Sequence, residues 1–154
     1  MIQRIQSLYL LIVTALMCVT LFAPIAMFTV ASGEVFTLSA FSLASEMQSQ
    51  GTIWMGILLS LATALPLVTL FMFKNRVLQI RLCAVEIVLL VGCIAFMAIY
   101  FWLSSANALE DAEVLHRQFG WAAIMPIVAL VFAALASRAI FKDEVLVRSL
   151  DRIR

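Results

Sequence analysis

The sequence predicts an all-α integral membrane protein: a bundle of four transmembrane helices, both termini cytoplasmic, with a short amphipathic helix at the C-terminus. Three observations carry that expectation. The first is composition, since 65% of the 154 residues are apolar, 12% are charged and the mean hydropathy is +1.12. So little polar surface cannot coat a soluble core of this size. The second is bunching. The apolar residues fall in four runs, roughly 8–31, 52–73, 82–103 and 120–141, and about 20 consecutive apolar residues span a bilayer core. Backbone groups in lipid must be satisfied within the segment, so the runs are expected to be helices. The third is charge. Arg4, Lys74, Arg76, Arg81, Arg138, Lys142, Arg148, Arg152 and Arg154 fall on one side of such a chain and only Arg117 on the other. By the positive-inside rule both termini then face the cytoplasm. Residues 1–154 are read as a single four-span domain.

The elements follow in order. The first span resembles a signal sequence, with Arg4 before it and Ala31-Ser32-Gly33 behind it. A signal h-region runs only about 7–15 residues, so this longer run is expected to be a retained helix. The segment Ser32 to Gly51 contains VFTLSAFSLAS, in which Phe36, Leu38 and Ala40 alternate with Thr37 and Ser39. That period fits a short strand or a stretch lying on the membrane surface. A basic cytoplasmic loop, 74–81, joins spans two and three. After span three, SSANALEDAEVLHRQFG is rich in helix formers and is expected to lengthen that span outward until Gly120. Trp54, Trp102 and Trp121 stand at the outer ends of spans two, three and four, in the half-wet layer that indole prefers. In span four, Ala129, Ala133 and Ser137 offer a narrow face to a neighbouring helix. Pro24, Pro66 and Pro126 each remove a helical hydrogen bond and are read as packing kinks. Cys18, Cys83 and Cys93 lie within spans and form no C-x-x-C, so they read as small apolar fillers.

Few residues can do chemistry. Glu86 is the one ionisable residue inside a span, and such residues are functional candidates. It lies five residues past Arg81, about 7.5 Å along a helix, a depth from which it could meet Arg4 or Arg138. A structural ion pair and a proton or ion relay both remain open. Glu113 and His116 have the E-x-x-H spacing of carboxylate metal bundles, but those need a second copy and further carboxylates. An acidic solvated segment is expected there, without a metal. No GxSxG, Walker-type glycine loop, HExxH or convergent Ser/His/Asp set occurs. Neither an enzyme nor a cofactor is expected, and nothing suggests a nucleic-acid partner, which would need a basic face with base-reading groups.

The chain ends on KDEVLVRSLDRIR, seven charged residues in thirteen. Leu146, Leu150 and Ile153 recur at i, i+4 and i+7 with Val147 beside them, an amphipathic helical stripe. Glu144 precedes Arg148 by four, a favourable pair. So short a helix is marginal alone, so headgroups, the protein's own loop or a partner should cover the stripe. Asp143, Glu144 and Asp151 would weaken a polybasic lipid anchor, which favours a protein surface.

MIQRIQSLYLL at the start, KNRVLQIRLC between spans two and three, and this tail together resemble an uncharacterised family of small four-span membrane proteins of Bacteroidetes bacteria. The resemblance covers essentially the whole chain. It implies a bacterial inner-membrane location and no assigned activity, so no catalytic or binding residue is carried over. The expected function is a non-enzymatic accessory or scaffold protein, with the lipid bilayer and a protein partner or a second copy as its partners. The docking residues would be Arg76, Arg81, Val145, Leu146, Arg148, Leu150, Asp151, Arg152 and Ile153. The alternative is a small transporter or channel subunit using Glu86 and the kinked spans, which predicts a water-accessible cavity reaching Glu86.

Overall fold

The computed structural model describes residues 2–31, 33–45, 49–72, 75–107 and 114–151, with the side chains of 2–4, 50, 76, 103–107 and 147–151 outside that description. Four long helices are present: α1 (Ile2–Phe22), α2 (Ile53–Phe71), α3 (Arg76–Asn107) and α4 (Met125–Asp151). Each is long and apolar enough to cross a membrane. α1 packs on α2 and α4, and α3 packs on the same two, so the helix contacts close into a circuit.

The helix ends correct several expectations. The first span does not reach residue 31, because α1 stops at Phe22. Pro24 disfavours the α conformation in Ala23 before it, and Ile25 to Val30 are mostly β-branched or aromatic, better suited to a strand. Pro24 therefore ends a helix and does not kink one. Pro126 is the second residue of α4, in the first turn, where a missing N–H costs nothing. Only Pro66 lies well inside a described helix, buried in α2. Residues 76–81, expected as loop, form the first turns of α3. No Gly or Pro interrupts RVLQIR, and the Gln79 N–H donates to the Asn75 carbonyl at 3.0 Å, starting the helical ladder. α3 does run outward to Asn107, but the chain re-enters as a strand at Val114 and not as helix.

The all-α expectation is corrected by a five-stranded antiparallel sheet. Its strands are β1 (Ala26–Val30), β2 (Val35–Leu38), β3 (Ser42–Ala44), β4 (Ser49–Gly51) and β5 (Val114–Phe119), in the order β4-β3-β2-β1-β5. β1 is second from one edge, pairing Ala26 with Leu38 on one side and with Phe119 on the other. Gly33, at φ +86°, supplies the left-handed turn between β1 and β2 that other residues rarely adopt. The alternation read at Phe36 and Leu38 is realised, since both are buried, as are Ala26, Phe28 and Val30. These side chains share one core with Val13, Met17, Leu59, Leu90 and Ala133 of the four helices. The sheet sits where α1 and α3 end and where α2 and α4 begin, opposite the chain termini and the α2–α3 turn.

Between sheet and termini the described interior is mostly apolar. The buried face of α3 reads Gln79, Cys83, Glu86, Leu90, Cys93, Met97 and Phe101, steps of three and four residues that keep one stripe inward. Ala129 and Ala133 of the expected small-residue face are buried on α4, whereas Ser137 is only half-buried and Ala136 is buried instead. Hydroxyls in the helices hide their polarity within their own helix. Thr14, Thr20, Ser60, Thr63 and Thr69 each donate to the carbonyl four residues earlier, at 2.7–3.0 Å.

Candidate functional site

Polar side chains converge at the termini end of the helix circuit. Gln6 on α1 donates from Nε2 to the Ala139 carbonyl of α4 at 3.1 Å, and Gln79 on α3 donates to the Thr69 carbonyl of α2 at 3.4 Å. These two bonds tie the four helices in pairs. Glu86 lies on the Gln79 stripe seven residues further on, only 1% exposed, and neither carboxyl oxygen has a hydrogen-bond partner among the described residues. The expected pairing with Arg138 is not made, since Arg138 is exposed on α4 while Glu86 faces inward; the Arg4 side chain lies outside the described residues. Cys83 and Cys93, also buried, flank Glu86 on the same stripe. A neutral carboxyl left unsatisfied in a core costs about 1–3 kcal/mol. Gln6 and Gln79, each bonded to a backbone carbonyl, avoid that cost, and Glu86 finds no partner among the described residues.

The proposed docking residues fall at the same end but are only partly visible. Arg81 is exposed near the start of α3, whose first residue is Arg76, with a side chain outside the described residues. The tail is a direct continuation of α4, not a separate short helix, and it holds Val145 and Leu146 exposed. Arg148, Leu150 and Asp151 follow on the helical backbone with side chains outside the described residues, so the Glu144–Arg148 pair also lies beyond them. Arg152 and Ile153 lie outside them entirely. The E-x-x-H pair is not assembled: His116 is exposed on β5, and Glu113 lies outside the described residues. Among the described residues no three His, Cys, Asp or Glu side chains gather to hold a metal.

A third feature was not foreseen. A cavity of about 420 Å³ lies at the sheet end, roofed by Ala26 and Leu38 and walled by Met97 and Phe101 of α3 and Ala123 and Ile127 of the α4 entrance. The residues lining it are all apolar and do not include Glu86, so this cavity is not the water-filled path that a Glu86 transporter requires. Phe119 of β5 closes one side, its ring stacked on Phe101 at 3.8 Å between centroids and 16° between planes. Phe28 meets Phe101 from β1 at 5.5 Å. Nothing in the local sequence marks this space, because it lies between elements about 90 residues apart in the chain; the aromatic residues at 28, 101 and 119 are its only trace.

A comparison with curated proteins finds no match. A family model does match, over residues 2–153, and it covers all three of the segments that suggested a family from sequence, apart from the outermost residue at each end. The chain belongs to the family described as domain of unknown function (DUF4293).

Proposed function

We propose that the chain is a non-enzymatic four-helix bundle of a bacterial inner membrane that docks a protein partner, or a second copy of itself, on its cytoplasmic face. What supports the membrane setting is the outside of the helices. Only 28–33% of each apolar window is buried, and Leu11, Ile57, Val88 and Val131 stand exposed. Water would not tolerate so continuous an apolar exterior, whereas lipid tails do. The sheet then belongs on the periplasmic side, by the charge asymmetry that places both termini inside.

The observation that carries the docking reading is the unbroken run of α4 through Lys142 to Asp151, on which Val145 and Leu146 are exposed. An anchoring tail needs only cations; an ordered helix with apolar side chains presented beside charges is the form of a helix-in-groove contact. A photocrosslinking side chain at Val145 is expected to capture a discrete protein band in cells. Removal of residues 142–154 is expected to abolish the associated complex in mild detergent. Absence of a band, together with an unchanged phenotype on truncation, would end this reading.

One observation favours a second reading. Glu86 is a buried carboxyl whose oxygens find no partner among the described residues, the situation in which a proton or small cation is bound. The sheet-end cavity does not include Glu86, so this reading is framed as a proton- or cation-binding site or switch.

A further inference from the structure

We propose that Glu86 binds a proton rather than a metal ion, and exchanges it only with the membrane face that carries the chain termini. The carboxyl would then be a one-sided sensor of pH at that face. This inference deepens the second functional reading, a buried carboxyl that binds a proton or small cation, and rests on it.

The choice of ligand follows from what surrounds the carboxyl. Hard divalent cations take about six to eight oxygen ligands. Glu86 stands on α3 between two apolar clusters, with Leu10, Cys83 and Ile140 toward the termini and Val13, Leu90 and Ala133 toward the sheet. Among the described residues neither of its oxygens meets a second polar group, and no three metal-ligating side chains gather. A proton needs no ligand beyond the carboxyl itself, and it makes the group neutral, the form that a buried site without a counter-ion accommodates. The titratable side chains nearby supply no cation. On α3 they are Cys83 and Cys93, both buried; on α1 they are Tyr9 and Cys18, both half-buried. The buried residues described on α2 and α4 include none, and Arg81 and Arg138 are exposed. Arg4, with a side chain outside the described residues, precedes Gln6 by two on α1, further from Glu86 than the Gln6 bond to α4.

Sidedness follows from where the buried polarity lies. Toward the termini, Gln79 is on the same stripe seven residues away, about 10.5 Å along the helix. Gln6 joins α1 to α4 at that end. Each amide gives an N–H to a backbone carbonyl and keeps a carbonyl oxygen that can accept from an entering water. Toward the sheet the stripe continues as Leu90, Cys93, Met97 and Phe101. The buried hydroxyls at that end, Thr20 and Thr52, are already donated to the Leu16 and Ala40 carbonyls. The sheet-end cavity reaches down to Ile94, but its lining is apolar. Water inside a protein needs about two to four polar partners, and the described side chains offer such steps toward the termini alone.

The test uses sealed membrane vesicles holding the full chain with a C-terminal epitope, prepared right-side-out and inverted, and a hydrophobic carbodiimide as probe. A protonated carboxyl in apolar surroundings adds across one C=N bond of that reagent. The adduct rearranges to a stable N-acylurea with nothing lost. Mass spectrometry reads the label at Glu86, and Glu86→Gln supplies the blank. The vesicle interior is buffered near neutrality, and antibody access to the epitope tells which face carries the termini. Where the termini face the medium, raising it from about pH 6 to about pH 10 is expected to cut labelling at least tenfold, as for a single site losing its proton. Where they face the interior, the same change is expected to leave labelling as it was, which also controls for any effect of pH on the reagent. A response in the opposite orientation, in both or in neither overturns one-sided exchange. Protection of Glu86 by added Na⁺ or Mg²⁺ at constant pH would overturn the proton as ligand and keep a binding site. Absence of label at about pH 6 would overturn the binding reading beneath it.

Discussion

Gly120→Ala is expected to destabilise the protein by about 1–3 kcal/mol, seen as a lower unfolding midpoint in detergent, although the backbone there is ordinary. Gly120 has φ −69° and ψ 154°, a conformation open to any residue. Space is what forbids the methyl group. A Cβ at this position would collide with the Pro24 carbonyl oxygen and lie 2.9 Å from that of Ile25, and these are backbone atoms that cannot rotate away. The close approach has a structural purpose. The Gly120 N–H donates to the Ile25 carbonyl at 2.8 Å, while the Ile25 N–H donates to Leu38 at 2.7 Å. One short segment thereby joins β2, the end of α1 and the entrance to α4. Gly51→Ala is the control, since among the described residues its Cβ would meet only the Ile53 side chain at 3.7 Å, and it is expected to be nearly neutral. Equal effects at the two glycines would refute the steric account.

Glu86→Leu is expected to move stability the other way, raising the midpoint by the equivalent of about 1–3 kcal/mol and, on the second functional reading only, abolishing the function that depends on the buried carboxyl. Both carboxyl oxygens are buried without a partner among the described residues, so replacement by an apolar side chain of similar size removes a desolvation cost and leaves no orphan behind. Glu86→Gln keeps a buried polar group and is expected to gain little. A marked loss of stability in Glu86→Leu would mean that the carboxyl is held by a structural partner. Gain of stability with an unchanged cellular phenotype would remove the second functional reading.

Much of the helical plan is legible because a long apolar run has few alternatives. The misreadings occur where a run changes conformation without changing hydrophobicity. Residues 25–30 are as oily as the helix before them, and the one available signal, Pro24, admits both a kink and a stop. VLHRQF carries three consecutive polar residues, shows no alternation and is exposed along nearly its whole length, so its strand character depends on pairing with β1 and not on a local pattern. Glu86 is visible in sequence as a lone carboxylate in a span. Its lack of a partner is not, because only packing shows that it turns inward while Arg138 points out. The cavity is less legible still, being a space between residues and not a property of any of them.

The register of the sheet has a consequence for how the chain is made. Ala26 pairs with Phe119, so one edge of β1 waits for a strand that is synthesised after α2 and α3. At the ~5–20 residues per second of translation, that edge stands open for roughly 5–20 seconds after β1 emerges. An unpaired strand edge is a template for wrong partners, including the same strand on a neighbouring nascent chain. Arrest of synthesis before Val114 should therefore yield a species prone to aggregate, and a supplied VLHRQF peptide should suppress it. β5 is in this sense the closing clasp of biogenesis, and late truncations should be judged by whether they spare it.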